Sequence, residues 1–557
     1  MDPIGSSCFN LRIEEDARAQ LEEEERKNEQ LAEIICSVRS LTKYEGKSLK
    51  IIYPQIVAAL IAASYHIAVG IGFAYSAILI PNLNMMNSTD PDHIMATKTE
   101  SSWVASAMVI VAPIGGISAG FIMDSIGRLN TIKLALFPSI IGWTLIALAW
   151  NVPMLIVGRV LTGIATTWGS SPATVYITEI ARADVRGSLI SLAPAFASLG
   201  MMLTFLKGWF FSWRIVAWTC LVYCVAPIIL IQFFIPESPP WLVSKDRIDE
   251  ASKGLKWLHR NQPHPEQRKE TMDELQLSLL KKERQIKLEA ANRNGNGAGA
   301  KFREFLKPSG YKPMIILFGL FFFQQFSGIY ITLFYSVSFL EETHSSINPY
   351  LASILICTVR FIMSCINTYM LKNFHRRPLI MVSGLGMCLC MLFSGLFTQW
   401  IINNTFDQTW TPTALLILYV ITSMIGLLPI PWTMTAELFP IEIRGVAHSI
   451  AYSANNFIMF ASIQSYYTLS DLFGGIVGVQ WFFAVVSILA GVYVFIFLPE
   501  THGKKLSEIT DYFLNSGAFY ILSKPTNKTA SMKKGTSRVP RKDIVKRPQE
   551  DKLLNDV

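Results

Sequence analysis

From about residue 50 to about residue 500, long apolar stretches alternate with short polar connections. A stretch of roughly 20 apolar residues is long enough to cross the ~30 Å hydrocarbon layer of a bilayer. Hydrocarbon offers the backbone no hydrogen-bond partner, so each crossing stretch is expected to be an α-helix. The pattern therefore predicts an all-α membrane protein with twelve transmembrane helices. Their approximate ranges are 53–80, 102–123, 131–150, 153–178, 188–211, 214–235, 313–340, 350–371, 378–400, 411–435, 447–470 and 476–498.

The composition agrees with a membrane protein and argues against several functional classes. Of the 557 residues, 51% are hydrophobic and 16% are charged, whereas a soluble domain carries about 25% charged residues. Much of the net charge of +8 lies in polar loops and in the C-terminal tail, so it does not indicate a nucleic-acid partner. We find no phosphate-binding glycine loop and no hydrolase-like grouping of Ser, His and Cys. We therefore expect a protein of the lipid bilayer, without enzyme activity, cofactor or metal.

Short polar motifs occur twice in the same order. Glu179 precedes Arg186 by seven residues, as Glu437 precedes Arg444, and each arginine is followed by glycine. The pair Pro236-Glu237 likewise returns as Pro499-Glu500. The duplication predicts two pseudo-symmetric six-helix bundles, an arrangement typical of transporters. The predicted domains are an N-terminal segment (1–50), a first bundle (51–235), a linker with short helices (236–312), a second bundle (313–498) and a tail, mostly disordered (499–557).

The distribution of Lys and Arg predicts the orientation. Basic residues concentrate in the short loops on the side of Arg128, Arg186 and Arg376, and basic loops remain cytoplasmic. Both termini fall on that side, so we expect a multi-pass protein, in the plasma membrane, with cytoplasmic ends. The glycosylation motifs at Asn87 and Asn403 fall on the opposite, external side, and both are candidate glycan sites.

Several motifs in order resemble the major facilitator superfamily, specifically its sugar-porter branch. The most specific stretch runs from Pro429 through Trp432 and Glu437 to Arg444-Gly445, and Gln324-Gln325-Phe-Ser-Gly328 is the next example. The stretch from Glu100 to Asp124 is similar to insect-type trehalose transporters within that branch. The resemblance covers about residues 50–510 and implies alternating access between two rocking halves.

The resemblance also implies a gate at the cytoplasmic face. There, Glu179 and Glu437 are expected to pair with arginines across the two halves while the outer side is open. The residues assigned to this gate are Asp124, Arg128, Arg159, Glu179, Arg186, Arg376, Glu437 and Arg444. In the first half Asp124 is followed by serine and Arg128 by leucine, where the family usually has basic residues. This half of the gate is therefore expected to be weaker.

A sugar presents hydroxyls and flat C–H faces, which amides and aromatic rings suit. The resemblance assigns sugar contact to Gln324, Gln325 and Trp432, and Asn456 matches the end of a further motif. Other sugar-contact positions of the family are replaced by Pro194, Tyr330, Arg360, Met424 and Tyr452. Tyr330 and Arg360 nevertheless remain candidate substrate contacts. Arg360 lies near the middle of the eighth stretch, where a charge costs about 2.5–3.5 kcal/mol and has to face protein, water or a ligand.

The first predicted helix contains no Asp or Glu between Tyr53 and Ile80. Proton-coupled sugar porters typically carry an acid there, so facilitated uniport of a hexose or of trehalose is the leading hypothesis. Two alternatives remain open. One is transport of an organic anion, which Arg360 favours, and the other is a non-transporting sensor or partner protein with an altered sugar pocket.

Overall fold

The computed structural model describes residues 49–84, 94–182, 185–261, 272–293, 305–439, 443–501, 509 and 512–514. The predicted N-terminal segment up to residue 48, the site at Asn87 and most of the predicted tail lie outside these ranges. Within them, all of the regular secondary structure is helical. The fold class predicted from the sequence is confirmed.

Six membrane spans form the first half. Span 1 combines α1 (Leu49–Ala63) and α2 (His66–Asn84), and span 2 combines α3 (Lys98–Ile110) and α4 (Ala112–Ile126). Span 3 combines α5 (Arg128–Leu134) and α6 (Leu136–Ala147), and span 4 is α7 (Val152–Ile180). Span 5 combines α8 (Arg186–Ile190) and α9 (Leu192–Phe210), and span 6 is α10 (Trp213–Phe234). Between the halves, the described residues form three helices: α11 (Pro239–Ser244), α12 (Ile248–Leu258) and α13 (Met272–Arg293).

The second half repeats this arrangement. Span 7 combines α14 (Pro308–Phe326) and α15 (Ile331–Phe334), and α16 (Ser336–Glu342) follows it. Spans 8 and 9 are α17 (Pro349–Asn373) and α18 (Arg376–Ile402), and span 10 combines α19 (Thr411–Ile425) and α20 (Ile430–Glu437). Span 11 is α21 (Arg444–Gln464), followed by α22 (Tyr466–Phe473), and span 12 is α23 (Ile476–Phe497).

Eleven of these spans, in the part of the chain that the structure describes, are long and apolar enough to cross a membrane. The remaining one is span 11, whose sequence includes His448, Asn455, Asn456 and Gln464. Those polar residues lower its hydropathy, and three of them contact neighbouring helices or the candidate site described below. Its polar character is therefore explained by contacts inside the protein.

Of the spans that are built from two helices, spans 7 and 10 have the breaks that bear on the candidate site. In span 7 the helix breaks at Gly328, whose φ of 94° lies in the left-handed region that glycine adopts readily. In span 10 it breaks between Ile425 and Ile430, immediately before Pro431. Proline lacks the N–H that would continue the hydrogen-bond ladder, so carbonyl groups before it are left to other donors. Both breaks expose backbone groups inside the second half.

The two halves pack along three pairs of spans. Span 1 contacts span 7, span 2 contacts span 11, and span 5 contacts span 8. We call the face of the protein that carries Glu179 and Glu437 the inner face, and the face that carries Lys98 and Asp471 the outer face. The candidate site lies between these faces, where the broken spans 7 and 10 meet span 11.

Candidate functional site

Two adjacent glutamines connect the broken helices. Gln324 and Gln325 end α14, and both are fully buried. Gln324 Nε2 donates to the carbonyls of Leu427 at 3.0 Å and of Leu428 at 2.7 Å. These are carbonyl groups that the break in span 10 leaves without helical donors. Gln324 therefore stabilises the break, and its amide N–H groups are already engaged in this conformation.

Gln325 makes a different set of contacts. Its Nε2 donates to Asn455 Oδ1 at 2.7 Å, joining span 7 to span 11, and to Gln324 Oε1 at 3.2 Å. Its own Oε1 is buried and accepts no hydrogen bond from any described residue. A buried acceptor without a donor is costly. Gln325 Oε1 is therefore positioned to accept a hydrogen bond from a solute hydroxyl.

Sequence reasoning missed Asn455 and selected only its neighbour Asn456. Asn455 is buried and fixes the Gln325 amide, whereas Asn456 Nδ2 donates to the backbone of Tyr452 in its own helix at 2.8 Å. The signal available in the sequence was the adjacency of two asparagines in an apolar span. Adjacent residues on a helix face different directions, so only the packing decides which one reaches span 7.

An aromatic group lies one helical turn from these amides, since Phe321 precedes Gln325 by four residues on α14. Trp432 lies three residues after the break in span 10, and its ring lies 5.0 Å from that of Phe321 and 6.1 Å from that of Tyr452, between centroids. A β-carbon on Gly116 in span 2 would stand 3.2 Å from the Tyr452 ring. Span 2 of the first half thus reaches the aromatic side of the site. Amides together with half-buried aromatic rings are chemically suited to a neutral polyhydroxyl solute.

The other two predicted contacts, Tyr330 and Arg360, lie in a second group. Arg360 is 8% exposed and faces a cavity of about 20 Å³ between spans 5, 7, 8 and 10. Tyr330 packs against the apolar cores of both halves. Within the described residues, neither glutamine, nor Trp432, nor Asn456 lines this cavity. The structure therefore divides the six predicted substrate residues into an amide–aromatic group and an Arg360 group.

Contacts between the halves close the outer face. Among the described residues they include an ion pair, a hydrogen bond and two ring contacts between opposite halves. The ion pair and the hydrogen bond are Lys98 Nζ–Asp471 Oδ1 at 2.8 Å and Ser106 Oγ–Gln464 Oε1 at 2.8 Å. The ring contacts are Trp103–Phe460 at 5.6 Å and Phe73–Phe334 at 5.7 Å between centroids. The described conformation is therefore closed toward the outer face.

At the inner face, Arg128 is surrounded by carboxylates of its own half. Its Nη2 and Nε lie 2.9 and 3.1 Å from the Glu179 carboxylate, and Nη1 lies 3.2 Å from Asp124. Ser238 Oγ also donates to Glu179. Glu237 accepts from the backbone amides of Arg128 and Leu129, at 3.2 and 3.0 Å. We call this group the Arg128 cluster.

The same arrangement occurs in the second half as the Arg376 cluster. Arg376 Nη2 lies 3.1 Å from Glu437 Oε1, and Thr501 Oγ1 donates to Glu437 Oε2 at 2.5 Å. Glu500 accepts from the backbone amides of Arg376 and Arg377, at 3.0 and 3.1 Å. Each half thus carries an arginine–glutamate pair, a hydroxyl donor and a second glutamate that binds backbone amides. The correspondence extends the repeat seen in the sequence to three dimensions.

Comparisons with known proteins assign the family. A profile of the family described as "Sugar (and other) transporter" matches residues 52–513. The chain belongs to this sugar transporter family. It is 34% identical over 463 residues, 82% of this chain and 88% of the relative, to the facilitated trehalose transporter Tret1 of Apis mellifera ligustica. Identity to the Tret1 of Bombyx mori is 33%, covering 86% and 90% of the two chains.

Comparison with solved structures identifies the same fold in a known transporter. The inward-open conformation of the xylose transporter XylE from E. coli superposes with a TM-score of 0.65 at 21% sequence identity, covering 81% of this chain and 98% of that one. The likeness shows the fold of a major facilitator transporter. This sugar transporter is accordingly a multi-pass membrane protein.

Glu179 and Glu437 were expected to pair across the halves while the outer side is open; in the described conformation, which is closed at the outer face, each binds the arginine of its own half. One sequence prediction about the gate requires correction. Arg159 was placed at the inner face, but it lies in the outer part of span 4, fully buried. It donates there to the carbonyls of Val104 at 3.2 Å and Gly72 at 2.7 Å. It joins spans 1, 2 and 4 within the first half of the transporter.

The remaining predicted residues are placed as follows. Arg186 is exposed at the start of α8 and donates to the carbonyl of Ala181 at 3.2 Å. Arg444 starts α21, and its side chain lies outside what the structure describes. Asn403 is exposed just after α18 on the outer face, as a glycan acceptor requires, and Asn87 lies outside the described residues.

Proposed function

We propose that this protein is a facilitative carrier of a neutral sugar, a hexose or a disaccharide such as trehalose, that works by alternating access. The amide–aromatic group carries the proposal, because span 2 of the first half lies against its aromatic side and because Gln325 Oε1 is a buried acceptor that receives no hydrogen bond from any described residue. The relatives named as facilitated trehalose transporters support the choice of solute.

Uniport is the proposed mechanism. No Asp or Glu occurs between Tyr53 and Ile80, the part of span 1 where a coupling acid is typically found. A carrier needs two conformations of similar free energy, because a solute shifts the equilibrium only by its differential affinity. The described conformation is closed at the outer face. We propose that the halves rock about the amide–aromatic group and open that face in the second conformation.

We further propose the plasma membrane as the location, with the inner face cytoplasmic. The Lys and Arg bias of the connecting loops supports this orientation. Asn403 is exposed on the outer face, so an attached glycan would mark that face as external. Enzymatic deglycosylation followed by gel mobility, with Asn403→Gln as the control, tests the orientation.

Uptake of radiolabelled trehalose and glucose into proteoliposomes tests the function. We expect saturable uptake of at least one sugar that a proton uncoupler leaves unchanged. Trp432→Ala removes the aromatic face, and loss of about 1–1.5 kcal/mol of ring contact corresponds to a roughly tenfold higher KM. Trp218→Ala, which removes an exposed tryptophan of span 6, is the matched control. Sugar binding without any flux would instead identify a sensor.

A further inference from the structure

Arg360 carries a positive charge into the membrane interior without a counter-charge. Its side chain is more than nine-tenths buried, and its Nε donates to no described residue. In the described part of the chain, its guanidinium takes part in no hydrogen bond or ion pair. A guanidinium has five N–H donors and stays protonated in proteins. A charge buried to this extent is unfavourable unless water or a ligand supplies the acceptors.

The cavity that Arg360 faces adds no negative charge. Its wall is mostly apolar and includes Phe205 of span 5, Phe339 of α16 and Val420 of span 10. The hydroxyls of two wall residues are engaged as donors, since Thr332 Oγ1 donates to Gly328 at 2.9 Å and Tyr419 Oη donates to Ser327 at 2.8 Å. The arginine is therefore the only charged group lining the cavity among the described residues.

The dimensions of the cavity limit the ligand. A volume of about 20 Å³ accommodates one or two water-sized groups, since one water needs about 10–15 Å³ on the same measure. Desolvation of an ion grows steeply with its charge, so an apolar wall disfavours divalent phosphate or sulfate. A chloride ion or a single carboxylate group satisfies both the size and the charge.

We propose that Arg360 and this cavity form a binding site for a small monovalent anion, either chloride or the carboxylate of an organic acid. The site lies where the halves meet. Phe205 and Arg360 belong to opposite halves, and Thr358 of span 8 donates to Met202 of span 5 at 3.4 Å. A bound anion contacts both halves, so its occupancy favours the conformation that is closed at the outer face.

Thermal unfolding of the purified full-length protein tests the site. Sodium chloride, sodium acetate and sodium sulfate are compared at equal ionic strength. For the wild type we expect a saturable rise in Tm with chloride or acetate relative to sulfate, about 2 °C at ten times the dissociation constant. A rise with chloride alone identifies an inorganic anion, and a rise with acetate identifies a carboxylate ligand.

Two variants decide the assignment. Arg360→Gln should lose the anion-dependent rise and, in sulfate, should unfold at the same or a higher temperature, because an unpaired buried charge has been removed. Arg360→Met removes the same charge and serves if Arg360→Gln does not purify. Arg260→Gln, at an exposed arginine of the region between the halves, should keep the full response. The inference is overturned if wild type and Arg360→Gln respond alike, or if neither anion gives a saturable rise.

The same preparations separate this inference from the proposed function. Sugar uptake in a protein whose Tm ignores both anions would overturn the anion site alone. An Arg360-dependent anion response in a protein that moves no sugar would overturn the sugar carrier alone.

Discussion

The hydrogen bond between Ser106 and Gln464 offers a direct test of the closed outer face. It joins spans 2 and 11 of opposite halves at 2.8 Å. In the second proposed conformation these groups separate and are hydrated, so the bond stabilises only the closed one. A partly buried neutral hydrogen bond contributes about 1 kcal/mol. Gln464→Leu keeps a side chain of similar size and should raise the population open at the outer face about fivefold.

The assay is thiol labelling of a reporter at Phe73, the deepest of the contacts that close the outer face; every protein compared carries the same reporter. Phe73 lies 10 residues before Leu83 along span 1, about 15 Å below the outer end of the helix. Phe73→Cys is introduced after the eight native cysteines are replaced by serine. An impermeant maleimide added to intact cells should label the Gln464→Leu protein about fivefold faster than its parent.

The control makes the same chemical change within one half. Gln399 donates to Asn403 at 3.3 Å in the second half alone, so Gln399→Leu should leave the labelling rate unchanged. Equal rates in Gln464→Leu and its parent, or an equal increase in Gln399→Leu, would refute the assignment of this bond to the outer closure.

Three further predictions concern stability. Glu437→Gln should lower Tm, because the charge-assisted hydrogen bonds from Arg376 and Thr501 contribute about 1.5–3 kcal/mol. Glu250→Gln should have little effect, because Glu250 belongs to an exposed ion pair worth about 0–1 kcal/mol. Equal losses of Tm in the two variants would contradict the reasoning. Gly328→Ala should strongly reduce the folded yield measured by size-exclusion chromatography, since its β-carbon would stand 2.4 Å from the Phe483 ring at a φ of 94°. Gly120→Ala is the control, because a β-carbon there meets no atom within 4 Å. Similar yields of the two variants would contradict this prediction. Burial raises the pKa of Glu342 on the outer face, so the folded state holds its proton to higher pH than the unfolded state, and this carboxyl's contribution to stability is lost as pH rises through its folded pKa. Glu342→Gln should therefore show a smaller fall in Tm than the wild type as the pH rises from the ordinary glutamate pKa of 4.5 toward neutrality, and parallel pH profiles would argue against the assignment.

The positions of the spans followed from the sequence because one physical requirement fixes them. A continuous apolar stretch long enough for the bilayer has to be helical, and the sequence analysis counted 447–470, the more polar span 11, among such stretches. The sequence also gives grounds for the breaks at Gly328 and before Pro431, since glycine and proline have defined backbone limits. The hydrogen bonds from Gln324 to the carbonyls at the second break could not be predicted, because the donor belongs to a different helix.

The gate illustrates where sequence reasoning stops. The motifs identified Glu179, Glu437 and their arginines, but a motif does not tell which half supplies the partner in a given conformation. The roles of Glu237 and Glu500 as acceptors for backbone amides were missed, because helix N-termini of other spans form the other side of those contacts.

The error at Arg159 had a remedy in the sequence itself. Arg159 and Glu179 lie on one uninterrupted helix, 20 residues apart. At 1.5 Å per residue this separation is about 30 Å, the thickness of the hydrocarbon layer. The two residues therefore cannot meet at the same face, and helix length alone assigns Arg159 to the outer part of the span.

The candidate site was predicted only in part for a related reason. Amide and aromatic residues were chosen by chemical suitability, and the structure brings Gln324, Gln325 and Trp432 together. It places Arg360 at a separate cavity because span 8 turns that side chain toward span 5. A helix register alone does not establish which neighbour a residue faces.

Counterflow in proteoliposomes tests alternating access most directly. Vesicles are loaded with unlabelled trehalose, or with whichever sugar the uptake assay identifies, and diluted into a trace of the labelled sugar. A carrier whose two halves expose one site to each side in turn accumulates label transiently above its equilibrium level, and Trp432→Ala should reduce that overshoot. Label that only approaches equilibrium, with no overshoot at any internal concentration, would contradict the account.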